Sequence, residues 1–180
     1  DFHGVRRSDL VLATTALRLS TENVLTERIR SRLVIGAAKT SRRAWRYSAE
    51  ASLNRSFGER WIWRNRVGGS VEDPQFEALF AETAVEYAFS DTFSLYLDLR
   101  HYEDTGEIED SLLFTTASPG LRSQRVGAGL RHSGDRWSAR AYLSYSEGDY
   151  DATNPNNDFF QFLYRDRDWI NLQLAVGRNY

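Results

Sequence analysis

Hydrophobic and polar residues alternate with a period of two along most of this chain. Ile170, Leu172, Leu174 and Val176 share one face of its last segment and Asn171, Gln173, Ala175 and Gly177 the other, with Arg178 the break in the apolar face and Tyr180 the final residue. Such alternation marks a strand with one face in apolar surroundings. Nine segments carry it, at 9–20, 25–38, 43–55, 60–69, 76–89, 92–102, 122–132, 136–147 and 168–180. Most run to about 11–14 residues, whereas globular strands have about 5–6. A strand tilted near 45° needs only about 9–11 residues to cross a bilayer's hydrocarbon layer.

The connections sort into two kinds. Short polar turns are expected at 20–23, 57–60, 89–92 and 133–136, each with an acid among small residues and an aromatic or Val close behind. Connections between them are more varied, at 39–42, 70–75, 103–121 and 148–167. Tight turns on one rim and longer loops on the other is the asymmetry of a transmembrane barrel, with the tight rim periplasmic. The tryptophans agree with that layout. Trp61, Trp63 and Trp137 fall at the tight-turn ends of their segments, Trp45 and Trp169 at the opposite ends, and Trp169 alternates to the inner face. Aromatic residues at strand ends build interfacial girdles. The expected fold is therefore all-β, an antiparallel up-and-down transmembrane β-barrel with about nine or ten strands visible. It forms one domain, or one barrel segment, over residues 1–180.

Composition narrows the function. Formal net charge is −2, so nothing overall is basic enough to suggest nucleic acid, and no nucleic-acid module is present. Mean hydropathy is −0.54, and no run of about 18 apolar residues offers a transmembrane helix. Cysteine is absent, which removes disulfides, thiol catalysis and cysteine-ligated metals. Methionine is absent too, so Asp1 is expected to follow processing or trimming, with no targeting peptide left to read.

Taken together, the alternation, the sorted turns, the placed tryptophans and the terminal aromatic Tyr180 resemble a Gram-negative outer-membrane β-barrel over essentially the whole chain. Arg178 departs from that class, whose terminal strands carry an apolar residue at this position. The resemblance implies a location in the cell outer membrane, contact with its lipid and lipopolysaccharide, insertion by the barrel-insertion machinery, and a membrane girdle of Trp45, Trp61, Trp63, Trp137 and Tyr180. It identifies no subfamily. Bacterial single-chain barrels have even strand counts, so nine segments imply a further strand from residues 1–8, one mis-split segment, or the carboxy-terminal part of a larger barrel. The last is the preferred expectation, with further barrel strands or periplasmic export partners to complete it.

The face opposite the apolar one carries the candidate chemistry. Arg18, Arg28, Arg30, Arg32, Arg46, Arg64, Arg66, Arg100, Arg125, Arg131 and Arg140 fall there, against Glu50, Glu82, Glu86 and Asp98. A wall of guanidinium groups in low-dielectric surroundings focuses a positive potential and reads carboxylate or phosphate. The expected function is a channel or export pore, porin-like, that favours anionic solutes or polymers such as acidic polysaccharide. The alternative is a closed small barrel, its lumen filled by Arg–Glu ladders and serving as anchor or recognition surface without transport. Glu82 and Glu86 lie between the arginines of the flanking segments and are the expected pairing acids.

No enzyme is expected, nor any cofactor or metal. The only histidines are His3, His101 and His132, without a triad spacing; His101 with Ser111 is the sole pair worth naming. The loops at 103–121 and 148–167 are acidic. The stretch 149–158 has oxygen ligands at spacings calcium uses, but it lacks the glycine and terminal Glu of an EF-hand.

Overall fold

The computed structural model describes residues 14–40, 43–73, 76–106, 108–110, 115–117, 119–151 and 165–178. Nine long strands form one antiparallel sheet: β1 (Thr14–Thr26), β2 (Ile29–Thr40), β3 (Trp45–Phe57), β4 (Trp61–Glu72), β5 (Phe76–Ala88), β6 (Phe93–Asp104), β9 (Leu121–Ser133), β10 (Trp137–Tyr150) and β11 (Arg167–Arg178). Two three-residue strands, β7 (Ile108–Asp110) and β8 (Thr115–Ala117), pair with each other inside the connection from β6 to β9. The described residues contain no helix. Strand order follows chain order throughout, so the sheet is up-and-down. Among the described residues β1 pairs only with β2 and β11 only with β10.

The long strands are 12 to 14 residues each, as the alternation requires. Turns at 58–60, 89–92 and 134–136 fall where the sequence places them. Gly58 opens its turn at φ 63°, a conformation that only glycine adopts without steric cost. The first turn is a correction. Residues 20–23 are strand, with Ser20, Thr21, Glu22 and Asn23 opposite Val34, Leu33, Arg32 and Ser31. The chain reverses at Glu27 and Arg28, after an irregularity between Val24 and Thr26, and Thr26 Oγ1 accepts the Arg28 N–H at 3.2 Å. Polar side chains at 20–23 look like turn chemistry, but the backbone there completes the ladder with β2.

On the opposite rim two long connections leave the sheet, and each is clasped at its stem by an aspartate. Asp104 Oδ1 accepts the N–H groups of Gly106 and Leu121, at 2.8 and 3.2 Å. Asp166 Oδ1 accepts the N–H of Tyr150 at 2.9 Å.

The register fixes the faces. One hydrogen-bonded row runs Asn23, Ser31, Leu53, Asn65, Thr83, Leu99, Val126, Tyr145, Ile170 across all nine strands. Ser31 lies near the tight-turn end of β2, Ile170 near the loop end of β11. The strands are thus inclined to the rims, as they are in closing barrels.

Burial on the two faces is inverted relative to a soluble sheet. The row above is part of an apolar face whose large side chains are exposed: Leu97 is 53% exposed, Leu143 52% and Leu172 64%. On the polar face Asp98, beside Leu97, is 8% exposed and Tyr142, beside Leu143, 7%, while on the outer strand β11 Asn171 and Gln173 are exposed as well. Over the central strands carboxylates and hydroxyls are covered (Glu72, Glu86, Ser94, Asp98, Ser144), and the large aliphatic side chains are open.

Candidate functional site: the polar face of the sheet

The even positions of β1 to β6, the odd positions of β9 and β11 and the even positions of β10 share one face. The structure accordingly places Arg30, Arg32, Arg46, Arg64, Arg66, Arg100, Arg125, Arg131 and Arg140 together with Glu50, Glu82, Glu86 and Asp98. Arg18 joins them from β1. Arg28 does not belong to the set. It sits in the exposed turn between β1 and β2, because that turn is at 27–28 and not at the polar stretch 20–23.

The charges are organised in two ladders. Glu86 takes Arg64 Nη2 at 2.7 Å, Ser94 Oγ at 2.8 Å and Arg131 Nη1 at 3.5 Å. Glu82 takes Arg66 Nη2 at 3.0 Å and lies 4.0 Å from Arg125 Nη2, which also donates to Asp98 Oδ1 at 3.2 Å. Glu50 closes the second ladder on Arg66 at 3.9 Å. The pairing of Glu82 and Glu86 with β4 follows from adjacent strands. Their second partners come from β9, across the whole of β6. Near the loop rim a separate pair, Arg46 Nε to Glu72 Oε2 at 3.0 Å, is covered by Phe76, whose ring centroid is 4.3 Å from the Arg46 guanidinium. Glu72 is a buried acid absent from the expected set, because residues 70–75 read as a connection whereas β4 runs on to Glu72.

Two tyrosines close this face over β9. Tyr96 lies against Gly129 and Tyr142 against Gly127, where a Cβ would collide with the rings. The rings stack on each other with centroids 5.6 Å apart and planes 6° apart. Tyr142 Oη donates to Asp98 Oδ1 at 3.0 Å, and Arg140 Nε donates to Tyr96 Oη at 2.7 Å. Among the described residues Arg140 thus serves a tyrosine and no acid. The signal in the sequence is two glycines at polar-face positions of β9 with tyrosines on the same face of both flanking strands.

The polar face is therefore uneven. From β5 to β10 it is filled and largely neutralised. From β1 to β4, Arg18, Arg30 and Arg32 have no ion pair among the described residues, and Arg100 on β6 has none either. Ser52 and Asn54 on β3 separate Arg32 from Arg66 and Arg30 from Arg64.

The apolar face carries three groups of ring contacts at the tight-turn rim. Phe57 meets Trp63 at 6.4 Å, Trp61 meets Tyr87 at 4.5 Å, and Phe93 contacts both Phe89 at 5.9 Å and His132 at 4.4 Å. Trp137 is exposed at the same rim, Trp45 at the loop rim. Trp169 lies on the polar face beside Gly148, as its alternation indicates. Tyr180 lies outside the described residues. Polar groups on the apolar face satisfy one another: Trp63 Nε1 donates to Thr83 Oγ1 at 2.8 Å, and Thr83 Oγ1 donates to Asn65 Oδ1 at 2.9 Å.

His101 lies 3.6 Å from Glu103, and Ser111 lies outside the described residues. Among the described residues no three His, Asp or Glu side chains converge as metal ligands; the stretch 149–158 is described only to Asp151. In comparisons with known proteins, the chain matches no family model and no curated relative.

Proposed function

We propose that this chain is a Gram-negative outer-membrane β-barrel, or a segment of one, that forms a channel or export pore favouring anionic solutes or polymers. One observation carries the membrane half of this reading: the large aliphatic side chains are the exposed ones, while Glu72, Glu86 and Asp98 are covered. In water, an exposed apolar face spanning nine strands would drive association. In a bilayer the same face is solvated by hydrocarbon and the polar face is the lumen. The ring contacts at one rim suit an interface, and the Trp63–Thr83–Asn65 chain satisfies groups that hydrocarbon would leave unpaired. In this reading the tight turns are periplasmic and the long loops face lipopolysaccharide.

β1 and β11 both run from the loop rim towards the tight-turn rim, so they cannot pair antiparallel with each other. Antiparallel closure takes an odd number of further strands between them, which favours a larger barrel over a nine-stranded one.

The anion half rests on the guanidiniums of Arg30, Arg32 and Arg100, which no acid among the described residues neutralises. They would set a positive field along the lumen. The closed-anchor reading draws on a specific observation as well, the Tyr96–Tyr142 pair and its ladders filling the β5–β10 side. Planar bilayers separate the two. The intact protein should conduct with chloride favoured over potassium. Absence of conductance across many insertions would establish the anchor reading.

A further inference from the structure

The polar face contains a trough with a physical cause. One hydrogen-bonded row, Arg18, Gly36, Ser48, Ser70 and Ala78, crosses β1 to β5 and is small everywhere except at its arginine end. The rows on either side carry larger groups over β2 to β5, although the loop-side row is small at Ala16 and Ala38. Val34, Glu50 and Phe80 stand towards the turn rim, Arg46 and Phe76 towards the loop rim. The difference in height leaves an open hollow of about 550 Å3. Its floor is set by close packing: a Cβ on Gly36 would meet Ser48 Oγ at 2.7 Å, and the Phe80 ring lies over Gly68.

The hollow's chemistry is graded along its length. At the β1 end Arg18 has no hydrogen bond or ion pair among the described residues. In the middle are the hydroxyls of Ser48 and Ser70, with the Glu50 carboxylate beside them. At the far wall is the apolar edge of Phe80. Glu50 is held by Arg66 at 3.9 Å, yet a carboxylate has lone pairs for several donors. A purely apolar ring would offer no partner to Glu50 or to Ser48 and Ser70, whereas ring hydroxyls match all three.

We propose that this trough binds a single sugar acid of the hexuronate type. The ring carboxylate pairs with the Arg18 guanidinium in a bidentate fashion. The ring hydroxyls donate to Glu50 and exchange hydrogen bonds with Ser48 and Ser70, while the ring's C–H face rests against Phe80. The site deepens the anion reading proposed above and rests on the same polar face. It does not depend on conduction, so the two can fail separately.

The test is calorimetric titration of the intact protein, folded in detergent micelles, with glucuronate, glucose and acetate. Glucuronate should bind saturably, with glucose and acetate each weaker by about tenfold or more, the worth of one charge-assisted pair. Arg18→Gln should weaken glucuronate by about tenfold or more and leave glucose unchanged. Ser48→Leu, which fills the floor, should abolish binding, and Arg28→Gln, in the exposed turn between β1 and β2 and outside the polar face, should leave it unchanged. Should Ser48→Leu not fold, Arg18→Gln alone decides. Equal affinity for acetate and glucuronate, an unaltered constant in Arg18→Gln, or no binding to the intact protein would each overturn the site. A non-conducting protein that binds glucuronate would keep the site and remove the channel; a conducting one that does not bind would do the reverse.

Discussion

Tyr142 reaches over Gly127 to place its hydroxyl 3.0 Å from Asp98, an aspartate two strands away. A side chain at 127 other than hydrogen would occupy the space of the phenol ring, so the contact exists only because β9 is glycine there. Gly127→Ala should therefore destabilise the fold by about 1–3 kcal/mol, the usual cost of overpacking. Tyr142→Phe keeps the ring and loses the hydroxyl, and should cost about 1.5–3 kcal/mol because the acceptor is ionised. Urea unfolding in lipid vesicles measures both. Equal stability of Gly127→Ala and the parent would mean the ring does not lie where it is described.

The two acids at the heart of the ladders should differ in worth. Glu86 is 8% exposed and takes three donors. Glu82 is more open, with 28% of its side chain accessible, and its partner Arg66 has 44%. Glu86→Gln should cost about 1.5–3 kcal/mol, the range for hydrogen bonds to a charged group. Glu82→Gln should cost about 0–1 kcal/mol and lose even that at high salt, because screening acts on exposed pairs first. Unfolding at low and high ionic strength checks the order. A reversal of the two would show that water reaches Glu86.

The facing of the strands has its own test. Spin labels at Leu97, Leu143 and Leu172 should be reached by oxygen dissolved in lipid and not by a water-soluble relaxation agent. Labels at Asp98 and Gln173, on the other face, should give the opposite pattern where the lumen is wet. Leu97→Arg should cost about 2–4 kcal/mol near the bilayer midplane. Neighbouring positions that respond alike would place the sheet in water, packed against a partner.

Most of the sheet is readable in the sequence because a two-residue period leaves little freedom: once Leu95, Leu97 and Leu99 share a face, Asp98 must take the other. Strand ends are less determined. Residues 20–23 carry the polarity of a turn, yet they pair with β2, and the reversal at Glu27 and Arg28 has neither Gly nor Asn to announce it. The short β7–β8 pair is invisible for a related reason, as three-residue strands are too short to show a period. In the candidate site, faces were readable and partners only partly so. Arg64 and Arg66 sit on the strand next to Glu86 and Glu82, so adjacency alone suggests them. Arg125 and Arg131 reach the same acids over β6, which depends on registers summed across two strand pairs. Glu72 and the tyrosine pair escaped for a different reason: a charge inventory notices neither an acid at a segment's edge nor a glycine's missing side chain.

Charge reversal on the polar face should separate field from scaffold. Arg30, Arg32 and Arg100 have no ion pair among the described residues, whereas Arg64 and Arg125 hold Glu86, Glu82 and Asp98. Arg30→Glu, Arg32→Glu and Arg100→Glu together should leave folding nearly intact, since no acid loses its partner. The reversal potential in planar bilayers should move towards potassium, because the change alters the lumen field by six charges in all. Arg64→Glu with Arg125→Glu should instead impair folding, by leaving covered carboxylates facing new ones. The two variants thus predict opposite outcomes in two assays, heat-modifiable migration for folding and reversal potential for selectivity. A folded, conducting Arg30/Arg32/Arg100 variant with unchanged chloride preference would place the selective constriction elsewhere, among residues that this sheet does not contribute.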